Sequence, residues 1–194
     1  MSADTTALNR ARHRFDEREQ IWLFGYGSLI FKADFAFRER VPAHIYGWSR
    51  RFWQASHDHR GTPERPGRVV TLTAQAGAVC RGMAYLIAPQ VFDHLDHREK
   101  NGYLRLHEEI HFERGGSAAG LVYIADAANA AYLGPAPEAE IAHQIAHAAG
   151  PSGPNRDYAI GLAQALRPLV RTEQEDRHVF EIERLLHQGI DRTP

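Results

Sequence analysis

The sequence predicts an α+β fold in which a small mixed β-barrel or β-sheet is flanked by helices. Apolar segments with strand character occupy much of residues 21–125, whereas the last third of the chain has apolar residues at helical spacing. A length of 194 residues suits one domain with a substantial core. We therefore expect a polar N-terminal arm over residues 1–20 and a single domain over residues 21–190.

The first part of the domain contains most of the predicted strands. Residues 1–20 are polar and charged, and they are expected to form a mobile arm or a short surface helix. From Ile21 the chain becomes apolar and rich in residues that favour β-structure. Residues 56–67 contain turn residues and no apolar anchor, which predicts a loop. Strands are predicted over residues 21–27, 43–55, 68–74, 78–87 and 119–125.

A short helix and a further strand are predicted in the middle of the chain. Pro89 is expected to begin a helix that ends near Arg98, with Phe92 and Leu95 on its buried side. The segment 103–113 alternates between two sets of residues, which predicts a strand with one solvated face. The expected buried set is Leu104, Leu106, Ile110 and Phe112, and the expected exposed set is Arg105, His107, Glu109 and His111.

Three helices are expected in the last third of the chain. The first has apolar residues at helical spacing and ends at Gly150. Asn155 is predicted to cap the second helix. Thr172 and Glu175 have the spacing of a capping box and predict a third helix that ends near His187. The expected buried residues of the first two helices are Ile141, Ala142, Ile145, Ala149, Tyr158, Leu162 and Leu166.

The charge of the chain is nearly balanced, with 23 Lys and Arg residues against 24 Asp and Glu residues. This balance does not favour binding to nucleic acid or to an acidic membrane surface. No apolar segment approaches the length of a membrane span. The single cysteine, Cys80, excludes an internal disulfide framework and indicates a reducing compartment or indifference to redox conditions. We expect a cytoplasmic protein without nucleic-acid or membrane partners.

The stretch FGYGSLI, residues 24–30, contains two glycines and a serine but matches neither of two common motifs. The dinucleotide fingerprint requires a third glycine where Ile30 stands. The nucleophile elbow requires glycines around Ser28, at the positions of Tyr26 and Ile30. What remains is a strand that ends in a turn whose backbone N–H groups bind a carboxylate or an oxyanion, with the Ser28 hydroxyl as a further donor. A strand turn without function fits the spacing equally well.

The segment HEEIH, residues 107–111, matches the zincin motif and offers a different class of function. Two histidines at this spacing converge on one zinc ion only on a helix. On a strand they would lie roughly 13 Å apart, at about 3.3 Å per residue. The alternation in this segment favours the strand, although its residues also tolerate a helix. A zinc hydrolase therefore stays as an alternative, whereas our main interpretation has no metal site.

Five stretches, the first of which contains FGYGSLI, occur in a characteristic order and spacing between about Ile21 and Leu186. Together they resemble the ChaC-like γ-glutamylcyclotransferases, in the glutathione-specific branch. The N-terminal arm lies outside this resemblance. The stretches are FGYGSLIFKADF (24–35), SRRFWQASHDHRGTPERPGRVVTL (49–72), LDHREKNGY (95–103), YLGPAP (132–137) and AAGPSGPNRDY (148–158).

The resemblance implies a small β-barrel with flanking helices, cleavage of glutathione to 5-oxoproline and cysteinylglycine, and no metal or organic cofactor. It implies that Glu99 in REKNGY is the general base and acid, and that Tyr132 lies against the substrate. Asn101 stands where the family pattern REKGGY has its first glycine, and asparagine tolerates positive φ better than most residues. The implied substrate-binding loop comprises Leu23, Phe24, Gly25, Tyr26, Gly27 and Ser28, to which we add the adjacent Leu29.

Several alternatives stay open within this interpretation. Glu108 is a second candidate carboxylate, because it falls on the apolar parity of its strand. Arg50, Arg51 and Arg68 are candidates for binding the glycine carboxylate of glutathione, or are structural ion pairs. The same ring-closing chemistry could act on other γ-glutamyl peptides or amines. A non-catalytic module that binds γ-glutamyl groups is also compatible with these residues.

Overall fold

The computed structural model describes residues 4–189 and contains a closed five-stranded barrel. Residues 1–3 of the polar arm and residue 190, the predicted end of the domain, lie outside the described residues. β1 closes the barrel, since it pairs antiparallel with β3 on one side and parallel with β5 on the other. The strands are β1 (Ile21–Gly25), β2 (Glu39–Ser56), β3 (Gly67–Ile87), β4 (Tyr103–Phe112) and β5 (Ser117–Ala125), in the order β1-β3-β2-β4-β5.

Helices surround this barrel, which confirms the predicted fold class. The three C-terminal helices pack against one another and against the long strands β2 and β3. Within residues 4–189, no helix is long and apolar enough to cross a membrane. The helices are α1 (Thr6–Arg12), α2 (Val91–Arg98), α3 (Glu138–His147), α4 (Asn155–Leu166) and α5 (Arg177–His187), and a hairpin of two short strands, β6 (Ala149–Gly150) and β7 (Gly153–Pro154), connects α3 to α4.

β2 and β3 form one long bent ribbon, which corrects the sequence prediction. The two strands predicted on either side of Gly77 are a single strand. The register with β2 shifts next to Gly47, and both glycines adopt positive φ. A bulge of this kind bends a strand pair without ending it, so the glycine signal in the sequence marks a bend rather than a break. β1 ends at Gly25 rather than at residue 27, and β2 begins at Glu39 rather than at residue 43.

β4 is a strand as predicted, but one of its expected exposed residues is buried. Ile110 lies in the core, whereas Arg105 is only 2% exposed. Its guanidinium lies 3.4 Å from the Asp96 carboxylate and 4.6 Å from the centroid of the Phe92 ring. Alternation alone cannot show this, because the charge is compensated by residues of α2 that are distant in sequence.

The polar N-terminal segment contains a short helix, α1, which is one of the two structures expected for it. Thr5 and Asn9 are buried although both are polar. Thr5 Oγ1 and Asn9 Nδ2 donate to the Tyr103 carbonyl at 2.8 and 3.0 Å. The Asn9 side-chain oxygen accepts from the Arg105 N–H at 2.8 Å, and the Thr5 N–H donates to the Lys100 carbonyl. These bonds attach the segment to the start of β4.

Three features of the C-terminal helices differ from the prediction. Asn155 is the first residue of α4 and makes no side-chain cap; instead it exchanges two hydrogen bonds with the backbone of Arg68 in β3, at 2.6 and 2.8 Å. Thr172 makes no capping bond either, because Glu175 accepts from Arg81 Nε at 2.7 Å. Ala149 is exposed, since α3 ends at His147. The other predicted buried residues of α3 and α4 lie in the core, which confirms them.

Arg50 is buried inside the fold and connects three parts of the chain. Its Nε donates to the Tyr26 carbonyl at 2.6 Å, and its Nη1 donates to Asp176 Oδ2 at 2.5 Å. Its Nη2 donates to the Arg81 carbonyl in β3. The turn after β1 is thereby held to the barrel and to the segment before α5 by one side chain.

We predict that Asp176→Ala strongly destabilises the protein, because the Arg50 guanidinium is left buried without its counter-ion. Loss of one partner of a buried ion pair typically lowers the free energy of unfolding by about 3–5 kcal/mol. Urea denaturation followed by circular dichroism measures this change. Glu181→Ala, which breaks the exposed ion pair with Arg184, is the matched control and should leave the midpoint almost unchanged. Equal midpoints for both variants would contradict the prediction.

Candidate active site

A cavity of about 350 Å³ opens beside the turn that follows β1. It is bounded by this turn, by the end of α2 and by the loop after β2. Its volume falls within the range of small-molecule sites. The structure therefore brings most of the predicted site residues to one place, namely Phe24, Gly25, Tyr26, Gly27, Ser28, Leu29 and Glu99.

Two of the predicted substrate-binding residues do not line this cavity. The Leu23 side chain is completely buried, and it faces the core because it lies within β1. Tyr132 forms a backbone bridge with Gln54, and its ring packs edge-on against Trp53 with the centroids 6.5 Å apart. Its position therefore fits an anchor for the segment before α3 better than a direct contact with a ligand in the cavity.

Glu99 lies at the C-terminal end of α2, where its backbone N–H donates to the Leu95 carbonyl at 2.8 Å. Phe92 and Leu95 are buried on one side of this helix, as predicted, and they fix its position on the barrel. The Glu99 side chain is 19% exposed, with Oε1 at 3.4 Å from Arg98 Nε. Apart from this ion pair, no group among residues 4–189 donates a hydrogen bond to the Glu99 carboxylate, which leaves Oε2 available to a ligand.

The surroundings of Glu99 favour its protonated form. Burial is the largest influence and raises the pKa of Glu99, whereas Arg98 and His59 lower it. Asp34 and Asp58 add a smaller increase. The effect of burial therefore outweighs that of the neighbouring cations, and the pKa of Glu99 is raised. A raised pKa makes the protonated form of a carboxyl group easier to reach, which suits a group that both accepts and donates a proton.

The glycine-bracketed turn supplies unpaired backbone donors. The N–H groups of Tyr26 and Gly27 have no acceptor among residues 4–189, and both residues line the cavity. A Cβ at Gly25 would lie 2.6 Å from the Leu29 Cβ, so only glycine fits there. Ser28 Oγ accepts from Arg98 Nη2 at 2.6 Å, so the hydroxyl hydrogen of Ser28 points away from Arg98. The turn has the donors that a carboxylate or an oxyanion requires.

Four tyrosines line the cavity, and only Tyr26 is among the predicted site residues. They are Tyr26, Tyr103, Tyr123 and Tyr158. Burial raises the pKa of each hydroxyl, to about 12 for Tyr158, so all four are neutral at physiological pH. Tyr103 and Tyr158 fall inside stretches that carry the family resemblance, but only the fold brings them next to Glu99.

The loop after β2 is held close to the β6–β7 hairpin by glycines. A Cβ at Gly150 would lie 2.5 Å from the His59 carbonyl oxygen, and one at Gly61 would lie 2.0 Å from the Gly67 nitrogen. Asp58 in this loop accepts from Asn101 Nδ2 at 2.5 Å. Such close approach of backbone to backbone leaves no room for a side chain.

Asn101 does not need the unusual backbone that was considered for it. Every residue with positive φ among residues 4–189 is a glycine, and Gly102 adopts it here. The Asn101 carbonyl accepts from Gln54 Nε2 at 3.1 Å, while its amide donates to Asp58. The substitution is therefore accommodated without strain and adds a bond between the two sides of the cavity.

None of the three arginines considered for a distal carboxylate lines the cavity, which favours the structural role that the sequence also allowed for them. Arg50 is paired with Asp176. Arg68 donates to Gln144 Oε1 at 2.6 Å and to the Phe52 carbonyl at 2.9 Å, and Arg51 donates to the Arg50 carbonyl. These arginines fasten elements of the fold to one another.

The two competing motifs in β4 lie away from the cavity. Glu108 accepts from Trp48 Nε1 at 3.0 Å and is half-buried at the barrel wall. HEEIH lies on a strand, so His107 and His111 cannot share one metal ion. His107 packs against His13, and His111 stacks on His44. In the part of the chain that is described, no group of three or more potential ligands could hold a metal ion.

Comparison with known proteins gives one consistent family. The family model described as ChaC-like protein matches residues 21–189. Gamma-glutamylcyclotransferase 2-3 of Arabidopsis thaliana is 45% identical over 174 residues, which cover 84% of this chain and 86% of that protein. Glutathione-specific gamma-glutamylcyclotransferase 1 of Danio rerio is 39% identical over 178 residues, which cover 87% and 90%. The crystal structure of a glutathione-specific γ-glutamyl cyclotransferase from yeast has a TM-score of 0.83 at 32% identity, over 90% of this chain and 98% of that one.

The raised pKa of Glu99 has a consequence for stability. Above this pKa the folded protein holds a poorly solvated carboxylate that the unfolded chain exposes to water, so Glu99→Gln should increase the free energy of unfolding at pH 7. Below the ordinary value of 4.5, Glu99 is neutral in both states and the advantage should disappear. Thermal unfolding of both proteins across this range measures the effect. An equal difference at all pH values would contradict it.

Proposed function

The chain belongs to the family of ChaC-like proteins, and we propose that it is a glutathione-specific γ-glutamylcyclotransferase in which Glu99 carries the proton. The products are 5-oxoproline and cysteinylglycine. Relatives named glutathione-specific cover most of the chain at 34–39% identity, which supports this substrate. The observation that carries the proposed site is the partly buried carboxylate of Glu99 in the same cavity as the unpaired N–H groups of Tyr26 and Gly27.

The substrate supplies its own nucleophile in this reaction. The α-amine of the γ-glutamyl unit attacks the γ-carbonyl carbon and forms the C–N bond of a five-membered ring. Collapse of the tetrahedral intermediate breaks the bond between the γ-carbon and the cysteine nitrogen. The α-nitrogen loses one proton before it attacks and a second one, as the ring nitrogen, when the lactam forms. One proton has to reach the leaving nitrogen for the bond to break, and the other is released to solvent or protonates the free amine.

Glu99 is suited to both proton transfers. A carboxylate between the two nitrogens accepts a proton from the α-ammonium group and later donates a proton to the leaving nitrogen. Positioned acid–base groups of this kind contribute roughly 10²–10⁴-fold to the rate. Burial raises the pKa of Glu99, which makes its protonated form a weaker acid than an exposed carboxyl group and its carboxylate a better base.

The turn after β1 orients the substrate. Its unpaired N–H groups bind the α-carboxylate or the developing oxyanion, and the neutral tyrosine hydroxyls surround the γ-glutamyl unit without adding charge. Holding the α-amine against the γ-carbonyl converts a flexible chain into a near-attack conformer. The buried Arg50 fixes this turn through the Tyr26 carbonyl.

Cyclisation of other γ-glutamyl peptides or amines is the alternative with the same ring-closing chemistry. A cytoplasmic location is inferred from the single, buried Cys80, which suits a reducing compartment. Zinc hydrolysis loses its support, because HEEIH lies on a strand outside the cavity.

Release of 5-oxoproline from EDTA-treated protein tests the function, with glutathione and γ-glutamyl-alanine as parallel substrates. We expect release from glutathione in the presence of the chelator. Glu99→Gln should lower the turnover number by at least about 10²-fold while glutathione binding stays measurable by calorimetry. Glu108→Gln is the matched control and should retain activity, since Glu108 lies outside the cavity. An active Glu99→Gln protein would overturn the assignment, and release from γ-glutamyl-alanine alone would change the substrate.

Gly27→Val tests the turn. A Cβ at Gly27 would lie 3.2 Å from Val70 Cγ2 and 3.3 Å from the Tyr158 hydroxyl, so the branched side chain has to enter the space of the ligand. We expect KM for glutathione to rise at least tenfold, on the order of the loss of one charge-assisted hydrogen bond. Circular dichroism checks that the variant is folded. Normal KM in a folded variant would show that the turn does not hold the substrate.

A further inference from the structure

Arg60 has a fixed position at the wall of the cavity. It belongs to the loop after β2 and is half-buried. Its Nη1 donates to the Pro154 carbonyl in the β6–β7 hairpin at 3.1 Å. Its guanidinium lies 5.6 Å from the centroid of the Tyr158 ring. The carbonyl and the ring together hold the cation in one orientation, so little side-chain freedom is left to lose when a ligand binds.

The Arg60 guanidinium has no counter-ion within the described residues. No carboxylate oxygen of residues 4–189 lies within 4.0 Å of it, and its Nε and Nη2 donate to no acceptor there. Arg98, the other arginine at the cavity, is already bound to Asp34 at 2.5 Å. Burial lowers the pKa of Arg60, and the smaller opposing influences of Tyr158 and Asp157 do not offset it. Such a group binds an external carboxylate well, because its planar donors match the two oxygens.

Arg60 and Glu99 are placed for the two ends of one substrate. Both line the same cavity, and both charges act on the Tyr158 hydroxyl, since Glu99 raises and Arg60 lowers its pKa. An extended Cys-Gly unit spans about 7 Å at 3.3–3.6 Å per residue. A γ-amide at Glu99 therefore leaves the C-terminal carboxylate within reach of a second site on the cavity wall.

We propose that Arg60 binds the glycine carboxylate of glutathione and thereby selects for the Cys-Gly half of the substrate. This assignment rests on the proposed function. It gives Arg60 the role that the sequence alone suggested for Arg50, Arg51 or Arg68, which the fold uses elsewhere. Arg60 is a specificity residue in this scheme, because it contacts the substrate away from the bond that breaks.

The test compares glutathione with its C-terminal amide, in which the glycine carboxylate is replaced by an uncharged carboxamide. Wild-type protein should show a kcat/KM about 10- to 100-fold higher for glutathione than for the amide, the value of one charged hydrogen-bonded contact. Arg60→Met should lose this preference, with both substrates at the level of the wild type acting on the amide. The loss should lie mainly in KM.

Two further variants separate binding from folding. Arg60→Lys should recover part of the preference, because it retains a point charge without the planar pair of donors. Arg65→Met removes an exposed cation from the same loop outside the cavity and should retain the full preference. An Arg60→Met protein that still prefers glutathione, or that loses activity equally on both substrates, would overturn the proposal. Absence of turnover by the wild type on both substrates would instead overturn the proposed function.

Discussion

The buried guanidinium of Arg50 is the constraint on which the site depends. A charge without water inside a barrel is stable only when every donor is paired, and Arg50 is paired with Asp176 and with the carbonyls of Tyr26 and Arg81. The same bonds that satisfy the charge define the path of the chain where β1 ends. The turn after β1 can therefore leave the N–H groups of Tyr26 and Gly27 without acceptors, because its position does not rely on them.

The side chain of Glu99, the proposed acid–base group, is positioned by the packing of α2 and by an ion pair with Arg98 rather than by hydrogen bonds to its carboxylate. Phe92 and Leu95 seat α2 on the barrel, and the helix ends at the residue that carries the carboxylate. The opposite wall is built by close backbone contacts at Gly61 and Gly150, which bring the loop after β2 against the β6–β7 hairpin. The Glu99 carboxylate and the loop after β2 thus line the same cavity, and each is positioned by contacts made elsewhere in the fold.

The sequence predicted those features that depend on local pattern. Alternation and helical spacing located β4, α2 and the buried faces of α3 and α4, and the family resemblance pointed to Glu99. Features that depend on distant partners were missed or misread. Arg105 is buried because Asp96 compensates its charge, and Asn155 bonds to the backbone of β3 instead of capping its own helix. Tyr103, Tyr123 and Tyr158 are distant in sequence and come together at the cavity only in the folded chain. The sequence shows Arg60 only as one residue of a polar loop, because its orientation depends on the Pro154 carbonyl and the Tyr158 ring.

The N-terminal helix changes how this protein should be compared with its relatives. The family match begins at residue 21, yet Thr5 and Asn9 bind the Tyr103 carbonyl, and Tyr103 lines the cavity. Thr5 also bonds to the Lys100 carbonyl, one residue beyond Glu99. An alignment restricted to residues 21–189 omits the residues that make these hydrogen bonds. Differences in rate between this protein and an aligned relative will therefore include a contribution from residues that the alignment does not display.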